Sequence, residues 1–355
     1  MRVLVSLISD QSIPNLLFIR SWPAFERYLF ITTRQMEQKG RCDDLIRVAG
    51  LPQYSVQNIE VLPESLNDVQ AKLEALQLSQ SAQYIVHLTG GNKIMALGAY
   101  QFFVTRKSEM YYAPIGANGY EKVFPRTDEE VIPFAASVSL QDYLSVYGVR
   151  VESAQSQISR PEALAARFFN QRWAKHPTFR NLMQYLGSRS GQSQSIPIAD
   201  VNGLQERLAS IGFATAQSGS LNADEIQWLT GGWFEEFVFQ KIKNKLGLAD
   251  QAIALNVKVR QKGSPNEFDV MFVHNNDLHV VECKSRLTKD MFDQTAYKLA
   301  AIKKDLGLQA RSYLFASENY YDKRTGQIYE SACLRAEHLN IRIRGRDDIL
   351  NDQLL

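Results

Sequence analysis

The first 150 residues alternate short apolar runs with turns and amphipathic stretches, without an internal repeat of sequence. The runs RVLVSLIS, RYLFITT, VQNIEVLP, QYIVHLTG and EMYYAPIG each have the length of a strand. Helical patterns lie between them, as in SLNDVQAKLEALQ, where Leu66, Val69, Leu73 and Leu76 fall on one side. Strands apolar on both faces, alternating with helices, predict a parallel, doubly wound sheet. Residues 1–150 are therefore expected to form an α/β domain around such a sheet.

The texture changes at 151–228. PEALAARFFNQRW, FRNLMQYLGSR and VNGLQERLASIG read as helices, with the Ser/Gln/Gly-rich stretch GSRSGQSQS among them. This mostly helical middle segment is compatible with a winged-helix-like insert or with plain spacer packing. Residues 229–355 form a third unit. GGWFEEFVFQKIKNKLG is expected to be a buried helix, AIALNVKVRQ, NEFDVMFVH and LHVVECKS strands, and KDMFDQTAYKLAAIKKDLG an amphipathic helix. RSYLFAS and LNIRIRG are later strand candidates, and the Asn275-Asn276 pair is a hairpin turn signal.

Composition excludes several function classes. Cys42, Cys283 and Cys333 are odd in number, widely spaced and free of any CxxC, against a zinc cluster or disulfide framework and for a reducing cytoplasm. The five histidines show no ligand spacing; His274 and His279 flank one turn as hairpin-edge residues. A net charge of +2 gives no overall basic footprint, so any nucleic acid is handled locally. No apolar run approaches the ~20 residues that span a bilayer, and MRVLVSLISD reads as a first strand rather than a signal peptide.

Two charges interrupt the apolar run DLHVVECKSR. Residues two apart on a strand share a face, so Glu282 and Lys284 project together while Val281 and Cys283 point away. Burying both is tolerated only if they are paired or used. Asp269 interrupts the preceding strand, and pairing through the turn brings it near Glu282. Neighbouring carboxylates repel unless a cation lies between them, and such oxygens suit Mg²⁺ or Mn²⁺. Lys284 beside that cation is placed to hold a water or stabilise a phosphoryl group. Glu235 lies on the helix entering this unit. The bland alternative is a surface ion pair.

The order G-x-W-F-E on a helix, a strand Asp, a turn, then E-x-K resembles the PD-(D/E)XK nuclease superfamily, a restriction-endonuclease-like α/β fold. The resemblance implies catalytic roles for Asp269, Glu282 and Lys284, metal held by Asp269, Glu282 and the Cys283 carbonyl, and the helical glutamate at Glu235, with Glu236 its rival. Phe268 stands where the family's name has Pro. Gln294, Tyr297 and Lys298 on the next helix reach either substrate or solvent.

In VHLTGGNKIMALG a strand runs through Gly90-Gly91 into a helix start, with Lys93 beside it, a favourable place for an anion. It matches neither the Walker loop nor GxGxxG, and alone it is equally a tight βα turn. TGGNKIMA resembles the strand-to-helix motif of CARF domains, the Rossmann-like sensors of cyclic oligoadenylates in CRISPR systems, which implies a Rossmann-like fold for residues 1–150. LISDQSIPN resembles their other ligand loop. The resemblance implies activator contacts from Ser9, Asp10, Gln11, Thr89, Gly90, Gly91, Asn92 and Lys93; Asn92 departs from the usual Thr.

A CARF domain followed by such a nuclease resembles the cyclic-tetra-adenylate-activated CARF nucleases of type III CRISPR systems. It implies a cytoplasmic homodimer with no membrane role, a divalent metal (Mn²⁺ or Mg²⁺), cyclic tetra-adenylate as activator, and single-stranded RNA and DNA as substrates. The alternative is a nucleotide-sensing CARF/winged-helix transcription regulator with an inactive nuclease fold.

Overall fold

The computed structural model describes residues 1–127, 131–188, 195–261, 263–303, 306–307, 310–319 and 330–355. The chain opens with β1 (Arg2–Leu7), β2 (Arg27–Thr32), β3 (Val56–Glu60), β4 (Gln83–His87), β5 (Glu109–Tyr112), β6 (Gly119–Phe124) and β7 (Ile132–Pro133). They form one sheet in the order β3-β2-β1-β4-β5-β6-β7. The first five run parallel, β6 is antiparallel to β5, and β7 is antiparallel to β6. The central strands β1, β2 and β4 are buried on both faces, as their apolar runs require, while β3 at the edge is mostly exposed. Leu4, Phe30 and Ile85 share one core with Leu16 and Phe18 of the helix Ile13–Ser21. Val3, Val5, Ile31 and Val86 meet Met95, Ala99 and Phe103 of the helix Lys93–Val104 on the other face.

β8 (Arg150–Gln155) follows, and it belongs to the second sheet, antiparallel to the strand Ile253–Gln261. The sequence boundary at 150/151 therefore cuts through a strand of the C-terminal fold. The reason is physical: β8 is a sheet edge whose residues, RVESAQ, are mostly exposed, so no apolar run marks it. The middle segment contains helices Glu162–Asn170, Pro177–Ser188 and Leu204–Ile211 and an antiparallel ribbon of β9 (Ser195–Pro197) and β10 (Ser220–Asn222). Most of its Ser/Gln/Gly-rich stretch, at 189–194, lies outside the described residues. Its apolar side chains, Phe168, Trp173, Leu182 and Leu208 among them, share one core with Trp233, Phe234 and Phe239 of the following helix.

That helix, Trp233–Leu246, is entered through a π-helical turn at Trp228–Gly232. Then come β11 (Ile253–Gln261), β12 (Ser264–His274), β13 (Asp277–Lys284), β14 (Arg311–Ala316) and β15 (Ile341–Arg344), ordered β15-β14-β13-β12-β11-β8. β11, β12 and β13 are an antiparallel meander, and β13, β14 and β15 are parallel. Asn275 and Asn276 take left-handed backbone (φ 52° and 63°), as a tight hairpin turn demands.

That turn is lodged against the first domain. Asn276 Oδ1 accepts the Val138 N–H at 3.0 Å and its Nδ2 donates to Asn118 Oδ1 at 2.6 Å. Tyr143 donates to the Leu306 carbonyl at 3.2 Å, and the apolar core runs unbroken from Leu4 to Met271 and Leu278. No helix among the described residues is long and apolar enough to cross a membrane.

Candidate functional site

The alternation along β13 sorts its side chains. Val281 and Cys283 enter the core shared with the middle segment, and Leu278 and Val280 enter the core shared with the helix Lys289–Lys303. Glu282 lies between Val281 and Cys283 and is 2 % exposed. Register β12–β13 pairs Val270 with Val281, which sets Asp269 one step further, beside Glu282. Asp269 Oδ2 accepts the Cys283 N–H at 2.6 Å. Lys284 Nζ lies 3.4 Å from Glu282 Oε2 and 3.7 Å from Asp269 Oδ2. The structure thus brings Asp269, Glu282 and Lys284 together.

Glu235 completes the group. Burial pushes its carboxyl up to about 8, and the charges of Asp269 and Glu282 push the same way against Lys284. Glu282 is also raised, by burial and then by Asp269, with Lys298 and Lys284 opposing. Burial would lower Lys284, but Asp269 and Glu282 outweigh it and hold the ammonium charged. Glu236, the rival on the same helix, does other work. Its Oε1 accepts the Ser159 N–H at 2.8 Å and the Ser159 hydroxyl at 2.5 Å, anchoring the chain ahead of the middle helices. Phe268 is fully buried.

The oxygen set suits a hard divalent cation: Asp269 lies close enough to raise both Glu235 and Glu282, in a buried setting. Among the described residues no group of three or more His, Cys, Asp or Glu is drawn together as a ready metal cage. His279 is stacked on Phe272 and Tyr313 and is held down to about 3, first by burial, as a neutral core residue.

Sequence reasoning left one neighbour undecided. Lys298 Nζ sits 2.5 Å from Glu282 Oε1, nearer than Lys284 sits to the other oxygen. Its only signal was its place on the helix after the E-x-K strand. Gln294 and Tyr297 on that helix are exposed.

The other expected site lies on the first sheet. Chain order reverses there between β1 and β4, so the loops after both strands flank one crevice, where α/β sheets bind ligands. A Cβ at Gly90 would stand 1.9 Å from the Leu7 carbonyl oxygen, so only glycine lets the two loops touch. Thr89 bonds His87 Nε2 at 2.8 Å and accepts the Ala113 N–H at 2.7 Å. His87 is buried, and that burial holds it down to about 3. Asn92 caps the helix Lys93–Val104, accepting the Met95 N–H at 2.9 Å, and donates to the Pro63 carbonyl at 2.7 Å. This explains a side chain other than Thr at that turn. Asp10 is held by Lys39 at 2.6 Å and Arg41 at 3.3 Å; burial opposes, yet these cations keep it below the usual range.

Gln11 and Thr89 line a cavity of about 590 Å³, together with His274, Asn275, Asn276 and Asp277 of the hairpin turn. Ser9, Asp10, Gly90, Gly91, Asn92 and Lys93 do not line it. Lys93 is exposed at the edge of a separate apolar hollow with Leu97, Tyr100 and Tyr112.

Residues 3–143 match the family model described as the Card1 CARF domain, and residues 222–353 the one described as the Card1-like endonuclease domain. Two solved structures share the fold over nearly the whole length. Can2 from Sulfobacillus thermosulfidooxidans, solved in complex with cyclic tetra-adenylate, has a TM-score of 0.78 at 21% identity, covering 100% of this chain and 98% of its own. VC1899 from Vibrio cholerae has a TM-score of 0.78 at 22% identity, covering 99% and 95%. Among curated proteins no relative matches the sequence.

Proposed function

We infer that this chain, which joins a Card1 CARF domain to a Card1-like endonuclease domain, is a cyclic-oligoadenylate-activated nuclease of CRISPR defence. The observation that carries the reading is Asp269, Glu282, Lys284 and Glu235 gathered at one buried point of the endonuclease sheet. A decayed site would have lost that costly cluster, which argues against the regulator.

The activity proposed is metal-dependent hydrolysis of phosphodiester bonds in RNA, DNA or both. Asp269, Glu282, Glu235 and the Cys283 carbonyl would hold the cation. A divalent ion there supplies Lewis-acid polarisation of the phosphoryl oxygens. Lys284, kept charged between two carboxylates, orients the attacking water and stabilises the developing phosphoryl charge. Glu235, whose carboxyl is pushed up to about 8 by burial, would have to give up its proton to serve as a ligand.

The proposed activator is cyclic tetra-adenylate, supported by the fold shared with the Can2 complex and by the crevice at the β1/β4 reversal. A two-fold ligand of this size suits an isologous homodimer. Exposed Leu97, Tyr100 and Tyr112 around the hollow beside Lys93 offer the apolar surface for a second copy. The proposed coupling runs through the β12–β13 hairpin, whose turn touches the sensor domain and whose strands carry Asp269 and Glu282. Activator binding would shift a population by its differential affinity for the active arrangement.

The test is incubation with single-stranded RNA and DNA, with and without cyclic tetra-adenylate and Mn²⁺. Cleavage is expected only when both are present. Sequence-specific duplex binding without cleavage would replace the nuclease with the regulator.

A further inference from the structure

Glu282 is nearly sealed from solvent, and its two oxygens belong to different lysines. Oε2 is held by Lys284 at 3.4 Å, while Oε1 takes Lys298 at 2.5 Å. Lys298 comes from the helix Lys289–Lys303, which Thr295, Ala296 and Leu299 fix to the protein by their burial. Its Nζ also donates to the Glu267 carbonyl at 2.5 Å and lies 5.2 Å from the centre of the Phe268 ring. An ammonium carries three N–H groups. Two are committed to Glu282 and Glu267, and among the described residues the third has no protein acceptor. The side chain is 36% exposed, so solvent or a bound ligand can reach it.

We infer that Lys298 is an internal counter-cation of the nuclease site, competing with the divalent ion for Glu282 and offering its third N–H to the phosphodiester. Without a neutralising charge, Glu282 would sit beside Asp269 and Glu235 in a buried setting, a costly arrangement for an ionised carboxylate. Lys298 relieves this before any metal arrives. A lysine suits the role because its flexible stem and compact charge can leave one acceptor for another, which a planar guanidinium does less readily. The inference rests on the nuclease reading and adds to it a second lysine with a distinct role from Lys284.

The test is calorimetric titration of the full chain with Mn²⁺, without substrate, for wild type, Lys298→Met and Lys298→Gln, with melting temperatures as a folding control. Both variants are expected to bind Mn²⁺ about tenfold more tightly, since a charged hydrogen bond no longer has to be broken. At saturating Mn²⁺ and activator their single-turnover cleavage should fall by on the order of 10²-fold. Affinity equal to wild type in both variants would overturn the inference and leave Lys298 as a cap on the Glu267 carbonyl. Weaker affinity with a lower melting temperature would overturn it too, making Lys298 a strut of the site. Tighter affinity with an undiminished rate would remove the phosphodiester contact. If wild type itself bound no Mn²⁺, the nuclease reading would fall, which is a different result from equal affinities.

Discussion

The Asp269 carboxylate reaches across the hairpin to accept the Cys283 N–H at 2.6 Å, so β12 fixes the peptide that lies between Glu282 and Lys284. One residue thus carries two jobs, a structural hydrogen bond and a negative charge. Asp269→Asn separates them, because an amide oxygen can still accept from Cys283 while the charge is gone. Cleavage should fall by on the order of 10²-fold or more. The metal-free melting temperature should stay level or rise, since Asp269 is a source of repulsion on both Glu235 and Glu282. Asp269→Ala should instead lose about 1–3 kcal/mol, because a buried N–H is left unsatisfied. Differential scanning of the three proteins beside a cleavage assay checks both parts. Wild-type cleavage by the Asn variant would remove Asp269 from the site.

Glu235 makes the metal-free protein sensitive to pH in an unusual direction. Its folded pKa of about 8 lies above the ordinary glutamate value of 4.5. Between those values the folded chain keeps a proton that the unfolded chain has released. Stability therefore falls as pH rises through that window, with a slope of at most about 1.4 kcal/mol per pH unit. Melting temperatures in chelator from pH 5 to 8.5 should decline for wild type and flatten for Glu235→Gln. Mn²⁺ affinity should climb over the same range, because the cation must displace that proton. Parallel curves for the two proteins would mean that Glu235 does not feel its neighbours.

Much of this arrangement was legible in the sequence, and what was hidden has physical causes. The βα alternation fixed the first sheet because fully buried strands must be apolar on both faces, as Leu4 and Val5 are. The E-x-K spacing placed Glu282 and Lys284 on one face because strand geometry has period two. β8 escaped because an exposed edge strand needs no apolar residues. Lys298 was ambiguous because a lysine on an amphipathic helix looks the same whether it meets water or a carboxylate sixteen residues upstream in sequence. Likewise, nothing local revealed that Asp10 is tied to Lys39 and Arg41, contacts made only when distant turns meet. The choice between Glu235 and Glu236 also needed the fold, since only it brings Ser159 to Glu236.

The coupling between sensor and nuclease can be split by two substitutions. Lys93 stands exposed at the start of the helix after the Gly90-Gly91 turn, far in sequence from the carboxylates. If it binds an activator phosphate, Lys93→Ala loses one charged contact worth about 1.5–3 kcal/mol, or roughly 10- to 150-fold in affinity. The activation curve should move to higher cyclic tetra-adenylate while the maximal rate recovers at saturation. Asn276 lies instead at the join, bonded to Val138 and Asn118 of the sensor. Asn276→Gly keeps a residue that tolerates the left-handed turn and removes both side-chain contacts. Activator affinity should change little, but maximal cleavage at saturation should drop, because the hairpin carrying Asp269 and Glu282 is no longer held to the sensor. Activator titrations of cleavage, with separate measurement of activator binding, distinguish the two behaviours. An unchanged activation curve for Lys93→Ala would make that residue a bystander beside a structural turn. A wild-type maximal rate for Asn276→Gly would move the coupling off the hairpin, and full wild-type cleavage without any cyclic oligoadenylate would mean that the first domain is no gate.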